Sequence, residues 1–77
     1  MLEQVLRGPS DANINFDDLR RLLQSLGFVE RTRGSHHIFT KTGVPERINL
    51  QREGNNAKAY QVRHVRAVIV KYNLGGE

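Results

Sequence analysis

Arg33-Gly34-Ser35-His36-His37-Ile38-Phe39 is the stretch that decides how this 77-residue chain folds. Arg33-Gly34 reads as a short turn that launches a strand over Ser35 to Lys41, and Phe28 to Thr32 reads as the strand before it. Successive side chains of a strand point to opposite faces, so His36 and His37 cannot serve one surface. Phe39, the bulkiest apolar group of the strand, belongs in the covered layer. His37, two residues earlier, shares that face as a partly buried, hydrogen-bonded histidine. His36 then lies on the open face with Ile38 and Thr40. A slip of one residue in register would exchange all of these assignments.

Working outward, Thr42-Gly43 makes the next turn. A third strand follows over about Pro45 to Gln51, with Ile48 and Leu50 inward and Arg47 and Asn49 toward His36. Pro45 suits a first or edge position. Upstream, Phe16, Leu19, Leu22, Leu23 and Leu26 form one stripe at helical spacing. Asn15 is the N-cap of that helix, and Asp17 and Asp18 favour its first turn. Asp17 and Arg21 pair four residues apart on its outer face. Gly27 and Phe28 close it in Schellman fashion. Downstream, Arg52 to Lys58 reads as a polar loop, and Tyr60 to Asn73 as a second helix that buries Val62, Val65, Val68, Ile69 and Tyr72. Arg63 and Arg66 project from its other face, and Asn73 or Gly75 ends it.

The order is helix, three antiparallel strands, helix. The simplest burial puts both helices on one face of the sheet and leaves the other open, an α+β sandwich of two layers. Leu2 to Arg7 predicts a short helix stopped by Gly8-Pro9, and Ser10 to Asn13 predicts a turn. The expected organisation is an extension over 1–14, one domain over 15–74 and a tail over 75–77.

The chain has room for a single small core, and with no cysteine it has no disulfide or thiolate zinc site to reinforce it. Three histidines at poor spacing argue against a metal site. There is no apolar run of signal-peptide or membrane-span length, so a soluble, cytoplasmic setting is expected. The formal charge of +4 is unevenly spread: residues 1–30 sum to −2 and residues 31–71 to +7. A contiguous basic block suits a polyanion, either nucleic acid or an acidic protein.

The runs Phe-Asp-Asp-Leu-Arg-Arg-Leu-Leu-Gln-Ser-Leu-Gly-Phe (16–28), Arg-Gly-Ser-His-His-Ile-Phe (33–39) and Lys-Ala-Tyr-Gln-Val-Arg-His-Val-Arg (58–66) resemble the HicA family of toxins from toxin–antitoxin systems. The resemblance covers about Phe16 to Leu74 and is strongest to the variant with an N-terminal extension. It implies a fold like the double-stranded RNA-binding domain, α-β-β-β-α. It also implies ribosome-independent mRNA cleavage, growth arrest and neutralisation by a HicB antitoxin, with no cofactor. The family's catalytic histidine is the first after Gly-Ser, which is His36 here. Many members read V-T-V-P-x-H in the third strand, where this chain has Arg47-Ile48-Asn49-Leu50-Gln51.

RNA carries its own nucleophile, the 2′-OH beside the scissile phosphate, and a neutral imidazole is suited to removing its proton near neutral pH. Charge growing on the phosphate calls for preorganised donors. Arg33, Lys41 and Arg47 are the nearest candidates, with the Gly34 and Ser35 N–H groups. Arg63 and Arg66 are candidates for RNA contact, for acidic groups of an antitoxin, or for solubility alone. Two other readings stay open: a non-catalytic RNA-binding module, and a protein whose basic face serves only an acidic partner.

Overall fold

The computed structural model describes residues 1–8 and 11–75. Pro9, Ser10 and the Gly76-Glu77 end of the expected tail lie outside the described residues. The elements are α1 (Leu2–Arg7), a 3₁₀ turn (Asp11–Asn13), α2 (Phe16–Ser25), β1 (Val29–Arg33), β2 (His36–Lys41), β3 (Val44–Leu50), β4 (Arg52–Glu53), β5 (Asn56–Ala57) and α3 (Ala59–Lys71). This is the predicted α+β order behind a short N-terminal helix.

Helix α2 forms where its caps dictate. The Asn15 side chain accepts from the Asp18 N–H at 2.9 Å, satisfying a donor that the first turn leaves without a partner. At the other end Gly27 adopts φ 98, and the Phe28 N–H reaches the Leu23 carbonyl at 3.0 Å, completing the Schellman motif. Helix α3 follows Lys58, an N-cap residue that makes no side-chain cap. It ends in the same motif through Asn73, at φ 53, with the Leu74 N–H on the Ile69 carbonyl at 2.9 Å.

The strands pair antiparallel in the order β1-β2-β3. Phe39 is opposite Ile48 and His37 opposite Leu50, so these four share the face that α2 and α3 cover. Phe39, Ile48 and Leu50 are fully buried there with Phe16, Leu19, Leu23, Val62, Val65 and Ile69. The register shifts between the Phe39–Ile48 and Lys41–Val44 pairs, and Pro45 lies in that irregular part of the edge strand β3, where its missing N–H costs no ladder bond.

Two expectations are corrected. Residues 52–58 are not wholly a loop: Arg52 pairs with Ala57 and Glu53 with Asn56. That two-stranded ladder docks on the start of α2, with the Phe16 N–H on the Asn55 carbonyl and the Ala57 N–H on the Ile14 carbonyl, both at 2.9 Å. These bonds are long-range, which is why no local periodicity announces them. Asp17 does not pair with Arg21 either. It takes Arg20 at 3.1 Å and Arg52 at 2.8 Å, while Arg21 takes Asp18 at 3.1 Å.

Helix α1 is too short to persist alone in water, and tertiary contacts hold it. Val5 is fully buried in the common core. Arg66 of α3 donates to the Val5 carbonyl at 3.1 Å and to both Asp11 carboxylate oxygens at 2.9 and 3.2 Å.

Candidate active site on the open face of the sheet

The β1–β2 hairpin fixes both histidines. Gly34, at φ 58, is the first of two turn residues between the paired Arg33 and His36, the position where a type II′ hairpin turn calls for glycine. The turn therefore falls at Gly34-Ser35, one residue later than expected, and β2 starts at His36. That changes no side chain's face.

His37 points toward the helices. Its ring meets Phe16 edge-on with centroids 4.9 Å apart, and Nδ1 donates to Glu30 Oε2 at 2.7 Å. Glu30 also takes two bonds from Arg20, at 2.8 and 3.0 Å, and one from Gln24 at 2.8 Å. Burial opposes ionisation of this carboxyl, but the bonds from Arg20, His37 and Gln24 outweigh it and hold its pKa below the ordinary value. His37 is thus a ligand of a charged network that ties α2 to β1 and β2.

His36 is exposed on the other face. Its Nδ1 stands 3.3 Å from Asn49 Oδ1 and 3.2 Å from Asn49 Nδ2. Asn49 comes from β3, opposite Ile38. The amide can accept from a protonated Nδ1 or donate to a bare one. Nε2 has no hydrogen-bond partner among the described residues and faces solvent. On the same face of the sheet, Arg31, Arg33, Ile38, Thr40 and Arg47 line a shallow concavity of ≈ 630 Å³, within the size range of small-ligand pockets. Ile38 and Thr40 of β2 and three arginines make up its lining. Arg31, Arg33 and Arg47 have no salt-bridge partner among the described residues.

The structure brings together only some of the nominated residues. His36, Arg33 and Arg47 share the open face, with Gly34 and Ser35 in the adjoining turn. Lys41 does not join them. It belongs to the covered face, and a Cβ placed on Gly27 would stand 2.6 Å from its Nζ. Its ammonium therefore sits at the C-terminal end of α2, where the helix dipole favours a cation. Arg63 and Arg66 lie on α3, across the sheet from His36. Arg66 is engaged by Asp11, and Arg63 stands 3.8 Å from the same carboxylate. Arg31 and Asn49, absent from the nominated set, complete the face. Arg31 shares the strand parity of Arg33, and that alternation was its signal. Among the described residues no three His, Cys, Asp or Glu side chains come together as a metal-binding group.

Residues 16–70 match a family model described as the HicA toxin of bacterial toxin–antitoxin systems. The match leaves α1 and the 3₁₀ turn outside it. No curated protein and no solved structure matches the chain.

Proposed function

Because this chain belongs to the HicA toxin family of bacterial toxin–antitoxin systems, we propose that it is an endoribonuclease that cleaves mRNA in the cytoplasm with His36 as general base, held in check by a HicB-type antitoxin. The observation that carries the reading is the exposed His36 ring, with Arg33 across from it and Arg31 and Arg47 further along the same sheet face, none of the three in a salt bridge among the described residues.

The chemistry follows from the ring's two nitrogens. Nε2 is the nitrogen open to substrate, so it must hold the free lone pair, and the proton then sits on Nδ1 and is donated to Asn49 Oδ1. With RNA laid along the open face, Nε2 removes the 2′-OH proton and the 2′-oxygen attacks the adjacent phosphorus in line. The P–O5′ bond breaks as the P–O2′ bond forms, giving a 2′,3′-cyclic phosphate and a 5′-hydroxyl. Arg33, with Arg31 and Arg47 further along the face, meets the charge growing on the phosphate oxygens. Neither His37 nor His64 lies on this face, so water protonates the leaving 5′-oxygen. A rate limited by so weak an acid is compatible with a toxin that acts over many minutes. Asn49 is a positioning residue in this scheme, because it selects the tautomer that a general base needs.

Product ends test the reading. Incubating the purified protein with a defined RNA should yield 2′,3′-cyclic phosphate and 5′-hydroxyl termini. A single 2′-deoxy substitution at the scissile nucleotide should block cleavage there. Cleavage that survives this substitution, or that leaves 5′-phosphate ends, contradicts the scheme.

A further inference from the structure

The two edges of the three-stranded sheet differ in kind. Strand β3 is a guarded edge. It carries Pro45 and the register shift, and Glu46 is tied down to α3 by Tyr72 at 2.6 Å and Lys71 at 2.9 Å. Strand β1 has neither a proline nor a register shift, although its Glu30 side chain is likewise tied to a helix, by Arg20 and Gln24 of α2. It pairs with β2 residue for residue from Val29 to Arg33 without interruption. Val29, Arg31, Thr32 and Arg33 are exposed, and Val29 presents 63% of its surface to solvent. Charged side chains guard this edge, Arg31 and Arg33 on the open face and Glu30 inward, but the backbone groups that point away from the sheet remain a template for another strand.

The hairpin shows which groups those are. A two-residue turn closes on a pair that exchanges both hydrogen bonds, here Arg33 and His36, and such pairs alternate with non-bonded ones along an antiparallel ladder. Arg31 and Val29 are therefore bonded to β2 as Arg33 is. The N–H and C=O of Glu30 and Thr32 point away from the sheet.

We propose that β1 is the docking edge for an extended acidic segment of the antitoxin, which adds as a fourth strand. This rests on the reading of the chain as a toxin with an antitoxin partner, but not on RNA cleavage. The backbone groups of Glu30 and Thr32 call for a polypeptide, since a nucleic acid has no matching ladder. Charge selects the sequence. Arg31 and Arg33 flank the new strand on the open face, so its residues on that side are Asp or Glu, as favourable cross-strand pairs require. Those carboxylates occupy the arginines that RNA phosphates need and stand beside His36, so strand addition and inhibition become one event. A second copy of this chain is a poor occupant, because antiparallel pairing centred on Arg31 sets Arg31 against Arg31.

Residue-resolved hydrogen exchange on the full-length protein, alone and in complex with its co-expressed cognate antitoxin, tests this. In the complex the Glu30 and Thr32 amides should exchange at least tenfold more slowly, while those of Arg31 and Arg33, already bonded, change little. Thr32→Pro removes an outward N–H without breaking a β1–β2 bond, and it and Arg31→Glu should each weaken the complex at least tenfold. Should the Thr32→Pro chain fail to fold, exchange in the unaltered protein still decides. A complex in which Glu30 and Thr32 stay unprotected overturns the edge proposal and leaves the nuclease reading standing. Protection of those amides in the isolated protein with dimer mass assigns the edge to a second copy and overturns it too. Failure of the antitoxin to bind refutes the partner premise itself.

Discussion

At the scale of single residues, alternation along β2 separates two adjacent histidines into two occupations. His37 enters a network with Glu30 and Arg20 beneath the helices, and His36 is left on the wet, basic side. That division was legible from Phe39 alone, because a large apolar ring fixes the parity of its strand. Parity also sets Lys41, near to His36 in sequence, on the covered face and Arg31 on the open one. Asn49 gives the residue-scale prediction. Asn49→Ala frees the imidazole to rotate and change tautomer, so cleavage should slow by about tenfold, a fraction of the ~10²–10⁴ that a general base supplies. Asn49→Asp places a negative charge on Nδ1–H and favours the imidazolium, so the acidic limb of the rate profile should move to higher pH. Rates measured from pH 5 to 9 for the three chains check both. Superimposable profiles would remove Asn49 from the mechanism.

At the scale of elements, the helices and the three main strands were readable because caps, Gly turns and apolar spacing agree locally. The fastening of α1 and of the β4–β5 ladder was not, because each depends on groups far apart in the chain. Arg66 shows this. On the sequence it is one more cation of a basic helix, whereas in the fold it clamps Asp11 and the Val5 carbonyl. The Arg66 guanidinium in turn holds the Asp11 carboxyl below its ordinary range. Asp11→Ala should cost about 2 kcal/mol, the usual weight of a hydrogen bond to a charged group, and urea unfolding would measure it. The resulting loosening should appear as faster amide exchange in α1 before any other element.

A second elemental link joins β3 to the end of α3. The hydroxyl of Tyr72, followed by the Lys71 ammonium, holds the Glu46 carboxyl down to about 2 from an ordinary 4.5. A depressed carboxyl stabilises the folded state above its ordinary pKa, and that contribution drains away as pH falls from about 4.5 toward about 2. Glu46→Gln should therefore melt at a lower temperature than the parent at pH 7, with the gap closing by pH 2. A gap that persists at pH 2 would assign it to lost packing instead.

At the scale of the whole molecule, the uneven charge of the sequence becomes a division of labour. The acidic N-terminal part is consumed in internal pairs: Asp17 with Arg20 and Arg52, Glu30 with Arg20, Asp11 with Arg66. On the open face Arg31, Arg33 and Arg47 have no salt-bridge partner among the described residues. Charge totals foretold a basic surface, but only the tertiary pairs show which cations remain free. Three phosphate-binding arginines on a single RNA strand set a log–log salt dependence of affinity of about −2. Binding of RNA to the His36→Ala chain at graded salt would read it. A slope near zero would mean that the face does not hold phosphates.

The central claim is that the His36 imidazole performs the cleavage. The most direct measurement compares the parent and His36→Ala on one defined RNA under single-turnover conditions, with circular dichroism confirming that both are folded. The account predicts a rate lower by about 10²–10⁴ in the variant. A folded His36→Ala chain that cleaves as fast as the parent would contradict it.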